Sequence, residues 1–379
     1  MLNVLLTASV SFIITFLAIP VVIRIAEQKK LFDMPDARKL HTRPIASLGG
    51  IGIFSGFFLA CILAISAKAY PEFQYFFAAS MVIFLLGIND DIIALSATKK
   101  MIGQVVAAAI LIHLGEIRIT SMHGLFGITE LPEFFSLVFS YITIIVIINA
   151  FNLIDGVDGL AGTLGMLTMT VFGVYFYAVD MPGYALMSFA MGGSLMAFLI
   201  FNYNPAKIFM GDTGSLLLGL INAVLVIKFI TVADDPMVMM PIESAAAVGF
   251  SILMVPLADT LRVFTIRIFH GKSPFSPDRR HIHHLLLDRG LNHKYVTLIC
   301  LAMNVLFIVI AYYGRGLGPT FTLLTLVGVA TVLLTALIYI KKPVLAAPIP
   351  HIHHENAEKE IHAITKVVPI NTESVAIKN

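Results

Sequence analysis

Apolar runs of about twenty residues alternate with short polar segments along almost the whole chain. A helix needs about 20 apolar residues to cross ~30 Å of hydrocarbon. Runs of that kind fall near 2–23, 46–66, 73–89, 101–117, 135–151, 160–179, 184–202, 214–230, 241–263, 295–313 and 320–340. They predict an all-α integral membrane protein, a polytopic bundle of about 11 transmembrane helices. The third and eighth runs are short and closely flanked by polar loops. The first begins at residue 2 without a basic leader or a small-residue cleavage site, so it reads as a retained helix. Residues 1–340 thus form one transmembrane domain, with polar loops at 24–45, 90–100, 152–159, 203–213 and 264–294. Residues 341–379 open with Lys341-Lys342-Pro343, show little apolar periodicity and are expected to be a disordered polar tail.

Charge placement orients the bundle. With the N-terminus outside, 21 of the 25 Lys and Arg fall on inner segments, and only Lys68, Arg118, Lys228 and Arg315 lie outside. Cytoplasmic loops attract Lys and Arg in this way, which predicts a periplasmic N-terminus and a cytoplasmic C-terminus. Composition agrees: 58% of residues are hydrophobic and 13% charged, where soluble domains carry about 25% charged. Mean hydropathy is +0.91. Both cysteines, Cys61 and Cys300, sit inside apolar runs, which supports neither a disulfide framework nor a thiolate metal site.

Five aspartates stand out against this background, because a carboxylate at bilayer depth costs about 2.5–3.5 kcal/mol even on lenient scales. Asp90 and Asp91 end the run Leu86-Gly-Ile-Asn-Asp-Asp91, one short loop before Lys99 and Lys100. Adjacent carboxylates repel unless a cation or proton relieves them, so the pair suits a base or a Mg²⁺ ligand as well as a solvated loop. In Asn149-Ala-Phe-Asn-Leu-Ile-Asp-Gly-Val-Asp-Gly159, a spacing of three puts Asn149, Asn152 and Asp155 on one helix face, with Asp158 following. Such oxygen donors fit a hard cation; capping of the next helix by Asp155 or Asp158 is the bland alternative. Phe209-Met-Gly-Asp-Thr-Gly-Ser215 leads into an apolar helix, whose N-terminus favours phosphate and keeps Asp212 ionised. Thr213 or Ser215 could cap it, and Phe209 could stack on a base or anchor in the interface.

With N-out topology all five aspartates reach the cytoplasmic face, together with the loop carrying Arg279, Arg280, His281, His283 and His284. Imidazole and guanidinium groups there form donors for diphosphate oxygens, favoured over zinc because no cysteine accompanies them. A basic loop against anionic lipid is the plainer reading. Asp259 and Arg262, three apart, read as a structural pair, and His113 as a packing residue. The tail histidines His351, His353, His354 and His362 read as a polar tract. A proton-coupled transporter would place acids at mid-bilayer and often show repeats, and neither is evident.

Taken in order, Asp90-Asp91, the Asn149–Gly159 segment, Phe209–Ser215 and Ser276-Pro-Asp-Arg-Arg-His-Ile-His-His284 resemble the polyprenyl-phosphate N-acetylhexosamine-1-phosphate transferases, glycosyltransferase family 4. His-Ile-His-His resembles the branch of undecaprenyl-phosphate alpha-N-acetylglucosaminyl 1-phosphate transferases more than the phospho-MurNAc-pentapeptide translocases, which carry three successive histidines. The resemblance implies Mg²⁺, with Mn²⁺ as a substitute, and transfer of GlcNAc-1-phosphate from UDP-GlcNAc to undecaprenyl phosphate, releasing UMP. It implies a bacterial inner membrane enzyme with a cytoplasmic site, no nucleic-acid partner, and room for a homodimer. Another UDP-N-acetylhexosamine remains an alternative donor. On this resemblance Asp212 and Asn152 are metal ligands, and Asp90, Asp91, Asp155 and Asp158 are catalytic. Lys100, Asn149, Phe209, Arg280, His281, His283 and His284 then bind substrate.

Overall fold

Each of the eleven apolar runs folds as helix in the computed structural model, which describes residues 1–32, 45–271, 273 and 281–339, the side chain of Ile338 apart. The helices are α1 Leu2–Lys29, α2 Gly49–Ala64, α3 Phe73–Ile93, α4 Ala97–Ala109, α5 Glu133–Ile154, α6 Leu160–Ala178, α7 Pro182–Asn202 and α8 Gly211–Ala233. They continue with α9 Ala245–Ile252, α10 Met254–Phe269, α11 Ile282–Leu287, α12 His293–Gly314 and α13 Pro319–Tyr339. Among the described residues nine helical stretches are long and apolar enough to cross a membrane, or ten if α9 and α10 make one broken span. The remaining run, α2, has 16 residues. The protein is an all-α polytopic membrane protein.

Three departures from the sequence reading have local causes. The run at 241–263 was expected as one span; it is broken at Leu253, where α9 and α10 meet with a bend of 83°. Asn304 of α12 stabilises the break from outside, accepting from the Val255 N–H at 3.0 Å and donating to the Ile252 carbonyl at 2.8 Å. A freed backbone pair inside a bundle needs such a partner. The segment 118–134, expected only as a loop, holds a small antiparallel hairpin, β1 Ser121–Leu125 with β2 Ile128–Glu130. The third and eighth runs are not short: α3 and α8 reach 21 and 23 residues because their polar ends, Asp90-Asp91 and Asp212-Thr213, are themselves helical.

Burial separates the helices by role. On α1 the buried residues Val4, Thr7, Ser11, Thr15, Ile19, Val22 and Ala26 recur every three or four positions. Leu5, Ile13 and Leu17 stay exposed, as suits a helix whose other face meets lipid. Small polar residues carry the packing on α7: Ser11 Oγ lies 2.6 Å from Ser194 Oγ, and Thr15 Oγ1 donates to it at 3.0 Å. α8, by contrast, is buried from Thr213 to Ile227 on all sides, against α2, α3, α5, α6 and α9. It is the central helix, and its N-terminus lies where the acidic segments meet.

Candidate functional site

Gly87 is the reason α3 reaches that N-terminus. A Cβ there would lie 2.4 Å from the Thr213 Cα, so only glycine lets the two backbones meet. From the next turn of α3, Asp91 accepts hydrogen bonds from the backbone N–H of Asp212 (2.7 Å) and of Thr213 (3.1 Å), and from the Thr213 hydroxyl (2.6 Å). Neither Thr213 nor Ser215 caps α8 as the sequence allowed; no residue at its own N-cap does, and Asp91 supplies the cap from another helix. The segment before α8 is fixed separately. Phe209 N–H donates to the Ala46 carbonyl at 2.8 Å, and Gly49 and Gly50 N–H donate to the carbonyls of Phe209 and Met210.

Asp90, one residue earlier and so about 100° round the helix, meets the side chain of Asp212 instead of the backbone of α8. Its carboxylate pairs with the Lys100 ammonium of α4, which also contacts Asp212. One cation thereby joins two acids from helices far apart in sequence. Asn152 of α5 completes the junction, donating to Asp212 Oδ1 at 3.0 Å and to Ser215 Oγ at 2.9 Å. Asn149 does not converge on it. Its amide pairs with Gln104 of α4 at 2.7 Å and with the Ile145 carbonyl at 2.8 Å.

These groups line a cleft of about 660 Å³ that also includes Asp155, Asp158, Phe209 and His284. Asp155 makes no hydrogen bond or ion pair to another described residue. Burial, then the charges of Asp212, Asp91 and Asp158, raise its carboxyl well above the usual carboxylate range. Asp158 is the opposite case. Burial opposes its charge, but hydrogen bonds from His293 and Asn204 outweigh that and hold its carboxyl below the usual range. Its oxygens accept from Asn204 Nδ2 at 2.9 Å and the Ala206 N–H at 3.2 Å, and lie 3.2 Å from His293 Nδ1. Neither Asp155 nor Asp158 caps α6, whose N-cap is Gly159.

A second cavity of about 540 Å³ adjoins the first and shares Lys100, Asn152, Asp155 and His284 with it. Asn149, His281 and His283 line only this one among the two. His283 is buried with its ring against Gly156, where a Cβ would lie 2.4 Å from Nε2. Burial, then its neighbour His284, pushes its pKa down to about 3. A neutral ring is thereby favoured, which still offers one N–H donor to the cavity. Arg280 and the tail histidines lie outside the described residues.

Sequence reasoning missed His293, Asn202 and Asn204. Asn202 accepts from the Gly159 N–H at 2.9 Å and donates to the Ile208 carbonyl at 2.8 Å, tying two site loops together. The available signal was position: two amides just past an apolar run, and a histidine opening another. Asp259 and Arg262 do pair, at 3.0 Å, and His113 bonds Tyr141 at 3.0 Å, as expected for packing.

The donor set fits a hard cation. Asp212, Asp155 and Asp90 offer carboxylates and Asn152 an amide oxygen, while among the described residues no three His, Cys, Asp or Glu side chains form a preassembled metal cage. Mg²⁺ seldom uses such a cage; it is bound by one or two carboxylates, waters and substrate phosphates.

Fold and cleft together define a class, a polytopic helical membrane protein with an acid-rich cleft where helix ends converge. The description "Glycosyl transferase family 4" matches residues 73–230. The "Probable undecaprenyl-phosphate N-acetylglucosaminyl 1-phosphate transferase" of Bacillus subtilis (strain 168) is 31% identical over 81% of this chain and 84% of its own length. The undecaprenyl-phosphate alpha-N-acetylglucosaminyl 1-phosphate transferase of Haemophilus influenzae is 30% identical over 80% of this chain and 86% of its own. The decaprenyl-phosphate N-acetylglucosaminephosphotransferase of Mycobacterium leprae is 31% identical over 76% and 77%. The chain belongs to glycosyl transferase family 4, and the relatives it matches are phosphotransferases named for polyprenyl phosphates.

Proposed function

We propose that this protein transfers GlcNAc-1-phosphate from UDP-GlcNAc to undecaprenyl phosphate, giving undecaprenyl-diphosphate-GlcNAc and UMP. The step is Mg²⁺-dependent, occurs at the cytoplasmic face of the bacterial inner membrane, and opens O-antigen or enterobacterial common antigen-type polysaccharide synthesis. The observation that carries this reading is the junction of Lys100 with Asp90 and Asp212 beside Asn152, in a chain of this family. A phosphoryl transfer asks a protein for positioning and charge neutralisation more than covalent chemistry.

In the step, an oxygen of the lipid phosphate forms a bond to the β-phosphorus of UDP-GlcNAc, and the bond from that phosphorus to the bridging oxygen breaks. UMP leaves with that oxygen and its electron pair. Bound at Asp212 and Asn152, Mg²⁺ would neutralise phosphate charge as it redistributes toward UMP. Asp90 faces the lipid phosphate and takes its proton where one is present, while Lys100 passes from its carboxylates to the phosphates. Asp91, with both oxygens engaged by α8, holds Asp212 in place and serves the reaction through it. Asp155 orients the donor, and Asp158, fixed by His293 and Asn204, shapes the nucleotide end, where Phe209 offers a face to uracil.

The test is a membrane assay with radiolabelled UDP-sugars, Mg²⁺, and either undecaprenyl or decaprenyl phosphate. Lipid-linked product from UDP-GlcNAc, lost with EDTA and restored by Mg²⁺ or Mn²⁺, is expected. Product from no UDP-N-acetylhexosamine would overturn the reading, and a periplasmic reporter fused after residue 341 would overturn the cytoplasmic placement.

A further inference from the structure

Asp259 is 3% exposed, deep on α10, and no part of the proposed step uses it. It is nonetheless among the most fully engaged carboxylates of the described structure. Oδ1 accepts from the Ile282 N–H at 2.9 Å and from Arg262 at 3.0 Å, and Oδ2 lies 2.9 Å from His281 Nδ1. A carboxylate holding an arginine and a backbone N–H on one oxygen is ionised and accepts only, so the hydrogen on its other oxygen belongs to the imidazole. The network thus assigns His281 a proton on Nδ1 and leaves Nε2 as its second functional atom.

That atom is unused among the described residues. His281 is itself 3% exposed, and Nε2 has no hydrogen-bond partner among the described residues. The residue lines the second cavity with Lys100 and Asn152 of the site. Behind Asp259 the wall is apolar, formed by Met303 and Phe307 of α12 and Leu334 of α13, so little water competes for the carboxylate. A buried nitrogen oriented by a dedicated carboxylate, left unpartnered and set in a cavity beside the reacting groups, is the arrangement of a ligand-facing histidine.

We propose that Asp259 is a positioning residue for phosphoryl transfer: its carboxylate fixes the ring of His281 through Nδ1–H and balances the charge of a ring protonated on both nitrogens, so that Nε2–H donates to the phosphates. This rests on the transferase reading given above.

The experiment uses the full-length protein with undecaprenyl phosphate, UDP-GlcNAc and Mg²⁺. Wild-type protein without transfer would overturn the functional reading itself. Given wild-type transfer, His281→Asn retains a donor where Nδ1 stood but has nothing at Nε2. It is expected to fold with an unchanged melting temperature and to lose about 10–100-fold in kcat, the scale of disturbing an oriented histidine. KM for both substrates should stay within about threefold, because the contact strengthens in the transition state. Asp259→Asn, with its oxygen kept on Ile282 and Arg262, turns an amide N–H toward Nδ1 and removes the carboxylate charge, so the ring can no longer carry both protons. It should lose kcat to a similar extent, and about nothing further in the His281→Asn background, where the two losses would otherwise multiply. Wild-type kcat in His281→Asn, a loss confined to KM, or multiplying losses in the double variant would each overturn the proposal. If Asp259→Asn fails to accumulate, Asp259→Glu, which keeps the charge but displaces it, takes its place in the same cycle with the same outcomes.

Discussion

Asp91 of α3 closes the N-terminus of α8 and thereby holds the residue beside it in the site, Asp212, whose backbone N–H it accepts at 2.7 Å. Its neighbour Asp90 points to Lys100 instead. Two adjacent aspartates therefore do unlike work, because consecutive helical side chains diverge by about 100°. Both line the cleft, but Asp91 satisfies the N-terminus of α8 while Asp90 pairs with Lys100.

This division predicts how the pair responds to substitution. Asp91→Ala removes the cap and should cost about 0.5–2 kcal/mol of stability, seen as a lower melting temperature in detergent. Asp90→Ala should melt at or above the wild-type temperature while losing transfer. A variant pair with the reverse order of melting temperatures would show that Asp91 does not act as the cap.

For Asp212→Asn the fold should survive, because Asp91 grips the backbone of residue 212 and not its side chain. Transfer should nevertheless be nearly absent across a Mg²⁺ series, since a metal ligand is needed for its charge. Near-wild-type turnover with an unchanged Mg²⁺ requirement would move the metal assignment to Asp90 or Asp155.

Replacing Lys100 by Met leaves Asp90 and Asp212 facing each other without their shared cation. Turnover should fall by about 10²–10³-fold, the scale of losing one preorganised charge-stabilising group. Added Mg²⁺ should raise the melting temperature of Lys100→Met more than that of wild type, because the cation then relieves both acids. Equal shifts would count against a shared site.

Asp155 predicts a pH dependence of stability. Its folded pKa is raised, so the folded state binds the proton more tightly than the unfolded chain does. Wild-type stability is therefore highest below the unfolded value of about 3.9 and declines as pH rises toward the folded pKa. Asp155→Asn removes this loss. Without Mg²⁺ or substrate it should melt above wild type at pH 8, with the difference shrinking as pH falls toward about 4. A difference independent of pH would point to packing instead.

The helical runs, the membrane class and the residue types of the cleft were legible in the sequence, because hydrophobic length and the cost of a buried carboxylate act locally along the chain. So were Asp90, Asp155, Asp158 and Asp212 as residues of one cleft, since topology alone sent their loops to one face. Tertiary structure decided which partner each one meets. That Asp91 caps α8, that Lys100 joins Asp90 to Asp212, that Asn149 turns to Gln104 and that Asp259 orients His281 all depend on contacts between different elements, up to 122 positions apart. The break at Leu253 was equally hidden, because both halves are apolar and the amide that stabilises it, Asn304, comes from another helix. Periodicity reports which face of a helix avoids water; it carries no information on which helix lies opposite.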